Sequence, residues 1–263
     1  MAEGPCGSEG QLLCEDDDFL FSDQALPIQV FGCYSAQPEL AIEVSGARHP
    51  IYLSQCILRG PRGEHGASEL DGQSVVLWRS AVSLARMWAS PTLPMPLVAG
   101  RTIVELGAGL GLIAIALAGM GARKVIATEV PPAIHELERS ISRNEGCLEN
   151  GISLAGVVDI AELWWGDSTT AEKILSENGH IDVIVASDAI YSRNLRRELL
   201  STISSLSTPG QTVCVFSYEE RGDESKFFEV ESREFGMEPI GDPSLQADDL
   251  GVEVRMLAAA NRY

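Results

Sequence analysis

The chain has 263 residues, 45% of them hydrophobic, and a formal net charge of −19 at pH 7. That is enough apolar material for one large core. The charge argues against a nucleic-acid partner, because holding a phosphate backbone needs a basic stripe and the sequence has none; it suits a basic protein partner, or simply a soluble surface.

Cys6, Cys14, Cys33, Cys56, Cys147 and Cys214 are scattered without C-x-x-C pairing, and the histidines have no matching ligand spacing. No metal site is expected, and reduced thiols point to the cytoplasm, with the nucleus as an alternative. The first residues lack a positive segment followed by an apolar one, so no secretory signal is read. The longest apolar run, 112–120, is broken off by Gly119 and Gly121 and is too short to span a bilayer. A soluble protein without a membrane partner is expected, and a monomer.

Taken in order, residues 1–25 read as an acidic disordered tail, with Glu3, Glu9, Glu15 and the acids 16–18 and no basic residue among them. Residues 26–71 read as a β-rich extension, in which the pieces 28–31, 40–44 and 51–53 form hairpins laid against the main domain and 59–71 is a loop. The main domain is read from 72 to 263. It opens with an amphipathic helix over 72–89 carrying Trp78, Val82, Ala85 and Ala89 at helical spacing, then a loop, 90–99, with three prolines.

Next comes the stretch that organises the chain. TIVEL (102–106) is short, β-branched and bounded by glycine, hence a buried strand; Gly107, Gly109 and Gly111 follow, and a helix starts at Leu112. Glycines there let the backbone turn through positive φ and let a ligand approach the main chain, while the helix start offers free N–H groups. A dinucleotide loop, G-x-G-x-x-G, would need glycine at 112 and has no use for an acid beside it; here Leu112 and Glu105 stand instead. An acid in that place favours a ligand carrying positive charge. The next strand, 124–128, ends at Glu129, which is positioned to accept from ribose hydroxyls.

E-x-G-x-G-x-G followed by an acid closing the next strand resembles the S-adenosyl-L-methionine-dependent methyltransferases of the seven-strand class. The resemblance implies an α/β, doubly wound, Rossmann-like and mostly parallel seven-strand sheet, here with an N-terminal β-rich extension. It also implies that the methyl donor lies against Glu105, Gly107, Ala108, Gly109, Gly111 and Glu129. Within the class, the helix with Trp78 resembles the one ahead of the glycine loop in the DxxY-type protein-lysine methyltransferases, or methyltransferase family sixteen, where that tryptophan lies against the donor. On its own a helix tryptophan is more often a core anchor.

Beyond Glu129, a proline-led helix runs to Asn144 with Ile134, Leu137 and Ile141 on one face, and 152–160 reads as the third strand. The segment LWWGD (163–167) follows. Its WGD piece resembles the adenine-side motif of the subgroup, which implies donor contacts from Trp165, Gly166 and Asp167; Trp164, pointing the other way on an extended backbone, is read as core. The fourth strand, 181–186, leads into SDAIY (187–191), at the end of the sheet where ligands of doubly wound folds bind. DAIY resembles the motif that names the DxxY subgroup, which implies that Ser187 faces the donor and that Asp188 and Tyr191 are catalytic. An Asp capping the helix that runs from Arg193 to Leu206 is the plainer alternative.

A fifth strand at 212–217, an exit at 219–221, a helix over 225–235 and a hairpin of 236–240 with 252–258 complete the sheet. The segment YEER (218–221) resembles a substrate-side piece of the subgroup. The function implied is methyl transfer to a lysine amine in a protein, with Asp188 orienting the ammonium. The alternatives are a histidine target, a small-molecule N- or O-methyltransferase, and a non-catalytic cofactor-binding interaction protein.

Overall fold

The structure is a computed structural model that describes residues 39–44, 47–55, 76–88, 97–240 and 251–260. The acidic tail, the strand expected at 28–31, the loop at 59–71, the first residues of the helix expected from 72 and most of the proline loop lie outside the described residues. Seven strands form one sheet: β3 (Thr102–Leu106), β4 (Lys124–Glu129), β5 (Val158–Glu162), β6 (Val183–Ser187), β7 (Val213–Glu219), β8 (Met237–Ile240) and β9 (Val252–Ala259). Their spatial order is β5-β4-β3-β6-β7-β9-β8. The first five are parallel, and β9 runs antiparallel between β7 and β8.

β3 is central and buried along its whole length, as a strand covered on both faces must be. Ile103 belongs to a core with α1 (Arg79–Trp88), α2 (Leu112–Gly119) and α3 (Ile134–Arg143). Val104 and Leu106 face the opposite core, under α4 (Ser168–Asn178) and α5 (Arg196–Leu206). α2 is apolar on every side because it is enclosed, and it stops at Gly119. Among the described residues no helix is long and apolar enough to cross a membrane.

The part of the extension that the structure describes is a two-stranded hairpin, β1 (Glu39–Ile42) with β2 (Ile51–Ser54). Leu40, Ile42, Ile51 and Leu53 enter the same core as α2, so the hairpin is continuous with the main domain. Buried Asn144 fixes it from the end of α3: its Oδ1 accepts from the Tyr52 N–H and its Nδ2 donates to the Tyr52 carbonyl, both at 2.8 Å.

Three elements differ from the sequence expectation. α1 starts at Arg79, leaving Trp78 just ahead of it. β5 starts at Val158, because 154–156 makes a tight turn whose Leu154 and Ala155 N–H groups donate to the Glu145 carboxylate at 3.1 Å. α4 has no counterpart among the elements read from the sequence. Only Ala171 and Ile174 of that helix are buried, too thin a stripe for an apolar period to register.

Candidate active site

From β3 the chain winds outward through β4 to β5, then returns and winds the other way through β6 and β7. The carboxyl ends of β3 and β6 are therefore the switch point at which such sheets bind ligands. A cavity of about 390 Å³ opens there, within the size range of small-molecule sites. Its wall includes Trp78, Gly107, Gly109, Glu129, Trp165, Ser187, Asp188 and Tyr191, together with Trp164 and Arg221.

The loop after β3 has Gly107 at φ 70° and Gly109 at φ 54°. A Cβ on Gly107 would lie 3.3 Å from Cζ2 of Trp165, so the indole rests directly on bare backbone. The Gly109 N–H donates to Oε2 of Glu129 at 2.8 Å, and the Val130 N–H donates to Oε1 at 2.8 Å. The acid thus draws the two strand-end loops together.

Glu105 lies behind this wall, 2% exposed. Burial pushes its carboxyl up to about 8; the Ala114 N–H, in the first turn of α2, works against the shift, and neighbouring Glu129 adds to it. Its Oε2 has no hydrogen-bond partner. A buried acceptor left so costs free energy that a positive ligand nearby would recover.

Other residues expected at the donor have different partners. Ala108 is buried in the core, and its N–H donates to the Thr128 carbonyl at 2.9 Å. Gly111 is needed for packing: at φ 75°, a Cβ there would come within 2.8 Å of Leu137 Cδ1. The Gly166 N–H donates to Thr202 Oγ1 at 2.8 Å. Asp167 is the N-cap of α4, accepting from the Thr170 N–H at 3.1 Å and from its Oγ1 at 2.6 Å. Ala108, Gly111, Gly166 and Asp167 are absent from the cavity wall, and Glu105 stands one layer back.

On the far side, Asp188 follows β6 with φ 50°, the one non-glycine among the described residues with positive φ. Its N–H donates to the Ser217 carbonyl at 2.7 Å, and Ser217 Oγ donates to Ser187 Oγ at 2.9 Å. The Asp188 carboxylate is buried and held on both oxygens by the Arg221 guanidinium. Burial raises the Asp188 carboxyl, and Arg221 opposes but does not cancel that effect. Burial likewise works against the Arg221 charge, but Asp188 outweighs it and raises the guanidinium. Tyr191 is kept a neutral phenol by burial first, then by Glu129 and Asp188. The capping alternative for Asp188 does not apply, since α5 starts at Arg196 without a side-chain cap.

The loops after β6 and β7 are tied to each other a second time. Arg196, 2% exposed, donates from Nε to the Ile190 carbonyl at 3.0 Å and from Nη2 to Asp223 Oδ1 at 2.9 Å. Arg193 takes the other Asp223 oxygen at 2.6 Å. Glu224 Oε2 accepts from the N–H groups of Arg221, Gly222 and Asp223 at 2.8 to 3.0 Å, fixing the loop that carries Arg221.

Six wall residues were not assigned to the site from sequence: Val130, Leu163, Trp164, Ala189, Leu195 and Arg221. Arg221 had a signal, the YEER segment, but no assigned role. Trp164 corrects the core reading: its side of the chain is not extended but turns, with the Asp167 N–H donating to the Trp164 carbonyl at 3.0 Å. Strand alternation lapses there, and the Trp164 indole stands 45% exposed in the cavity wall.

The chain matches the family described as lysine methyltransferase over residues 66–234. It is similar to protein N-lysine methyltransferase METTL21A of Danio rerio, 31% identical over 163 residues, which cover 62% of this chain and 68% of that one. Protein-lysine methyltransferase METTL21E of Mus musculus is 30% identical over 177 residues, 66% of this chain and 69% of the relative. Among solved structures, an O-methyltransferase family protein from Burkholderia thailandensis has a TM-score of 0.47 at 15% identity, covering 64% of this chain and 53% of that one.

Proposed function

The chain belongs to the lysine methyltransferase family, and from that premise we propose that it moves a methyl group from S-adenosyl-L-methionine to the side-chain amine of a lysine in a protein substrate. Its similarity to protein-lysine methyltransferases supports the protein substrate. One observation carries the donor assignment: in a single cavity, bare glycine backbone at Gly107 and Gly109 and the strand-end acid Glu129 meet Asp188 and Tyr191, with the unpartnered Glu105 oxygen behind them. This set fits a nucleoside that carries positive charge. Glu129 would accept from the ribose, Trp165 and Trp78 would flank the donor, and Glu105 would answer its charge through the first turn of α2.

When bound, the donor supplies an electrophilic methyl group. The residues of this chain have a different task, which is to present a neutral amine. A lysine with a pKa near 10.4 is neutral in roughly one molecule per few thousand at pH 7, so freeing its lone pair costs about 4 to 5 kcal/mol. An unpaired buried carboxylate would hold the amine protonated and raise that cost. Arg221 cancels the Asp188 charge, so Asp188 offers the amine an acceptor without a net anion. Tyr191 adds a neutral wall, and the proton leaves to water. The amine nitrogen would take that methyl carbon, and the electrons of its bond to sulfur would stay with the departing thioether. Alignment is the remaining contribution of the protein, and the brace through Arg196 and Asp223 supports it.

The charge of −19 supports a substrate with basic surface near its target, and no nucleic acid. A working monomer belongs to the same reading. Buried free Cys147 and Cys214 suit the cytoplasm. Calorimetry with S-adenosylhomocysteine tests the donor assignment: the full chain should bind it, and Glu129→Ala should lose most of that affinity. Equal affinity in both would sink the assignment.

A further inference from the structure

The Trp164 indole is 45% exposed, although a ring of that size is usually mostly buried. Nor is it free to fold back. The Leu163 N–H donates to the Glu129 carbonyl at 2.9 Å, the Asp167 N–H closes the turn on the Trp164 carbonyl, and the Gly166 N–H is held by Thr202. A turn fixed from β4, α4 and α5 thus projects an apolar ring into the cavity wall. We propose that Trp164 is a second purine-binding residue, the outer wall of the donor site, on which the adenine of the donor stacks.

Two cavity occupants could cover such a ring, the donor or the protein substrate, and position separates them. Trp164 follows β5, beside Leu163, Trp165 and Val130, the residue after the ribose acid. Asp188 and Arg221, at the amine end, follow β6 and β7. In the strand order β5-β4-β3-β6-β7, four inter-strand steps separate the Trp164 side from the Arg221 side. At roughly 4.8 Å per step the ends of β5 and β7 lie about 19 Å apart, about the length of an extended nucleoside–amino acid conjugate, so the two residues enter the cavity from opposite ends of that span. Leu163, Trp165 and Val130, which line the same cavity, are apolar, as suits a π-face, and stacking is indifferent to the edge of the base.

The inference rests on the donor reading, and the test separates the two. Calorimetry of the full chain with S-adenosylhomocysteine and with methylthioadenosine, which lacks the amino-acid end, is compared for wild type, Trp164→Leu and Trp164→Phe. Trp164→Leu should weaken both ligands equally, by on the order of tenfold, with Trp164→Phe between it and wild type. Binding should also quench tryptophan fluorescence less in the Phe variant, and melting temperatures should match because the ring is exposed. Unchanged affinity for both nucleosides in Trp164→Leu, with wild type binding, would overturn the role of Trp164 and leave the donor site standing. A wild-type chain that binds neither nucleoside would overturn the donor reading and this inference with it.

Discussion

Arg221 grips Asp188 through two parallel hydrogen bonds, Nη1 to Oδ1 at 2.9 Å and Nη2 to Oδ2 at 3.0 Å. The pair joins the loop after β6 to the loop after β7 and fixes a backbone position at φ 50° that few residues other than Asn, Asp and Gly adopt readily. Asp188→Asn preserves shape and backbone preference but removes the charge facing Arg221. It should keep the fold and lower kcat by roughly 10²-fold, with donor affinity unchanged. Asp188→Ala adds strain of about 1 kcal/mol, visible as a lower denaturation midpoint than Asp188→Asn. Single-turnover rates and urea melts measure both; full activity in Asp188→Asn would remove Asp188 from the mechanism.

Glu105 makes stability depend on pH. Its carboxyl sits near 8 in the folded chain, above the ordinary value of 4.5, so the unfolded chain loses that proton first as pH rises. Between about 4.5 and 8 the folded state therefore loses stability, and above that window the penalty is complete. Glu105→Gln should flatten this slope, gaining a few kcal/mol near pH 8 at most. It should also bind the donor less tightly. S-adenosylmethionine should favour the ionised form, releasing a proton on binding that calorimetry in two buffers of different ionisation enthalpy detects. Identical pH–stability curves for the two proteins would show that the carboxyl is ordinary.

Gly107 and Gly111 look alike in sequence and should fail differently. Gly111→Ala drives a methyl group against Leu137 on α3, so it should cost about 1 to 3 kcal/mol of stability while the folded fraction still binds donor. Gly107→Ala pushes on Trp165 and should cost donor affinity more than stability. Denaturation and calorimetry on both variants give the contrast, and parallel losses in both would contradict it.

Asp167 should behave as a helix cap. Asp167→Ala should lower the melting temperature, Asp167→Asn should restore most of it, and neither should change nucleoside affinity. A large affinity loss in Asp167→Asn with an unchanged melt would return Asp167 to the adenine.

Much of this architecture could be read from short, uninterrupted signals. The β-branched strand before the glycine loop, the acids at 105 and 129 and the final hairpin all carry their own local pattern, and the doubly wound sheet is what the family resemblance of those motifs implies. What stayed hidden depends on partners far along the chain. Gly111 serves a helix whose Leu137 no local pattern links to it, and Arg221 means little until Asp188 is folded beside it. Trp164 departs from the core expectation because one turn cancels strand alternation. α4 leaves no signal because two buried side chains are too few to show a period.

Methyl transfer to protein lysine would take place at the ends of β3 and β6. The most direct test incubates the purified chain with isotopically labelled S-adenosylmethionine and a cell lysate, followed by mass spectrometry of proteins and metabolites, with Asp188→Ala as the control. Label on lysine side chains of one or a few proteins, absent from the control, is the predicted result. Label confined to small molecules, or equal in the control, would contradict it.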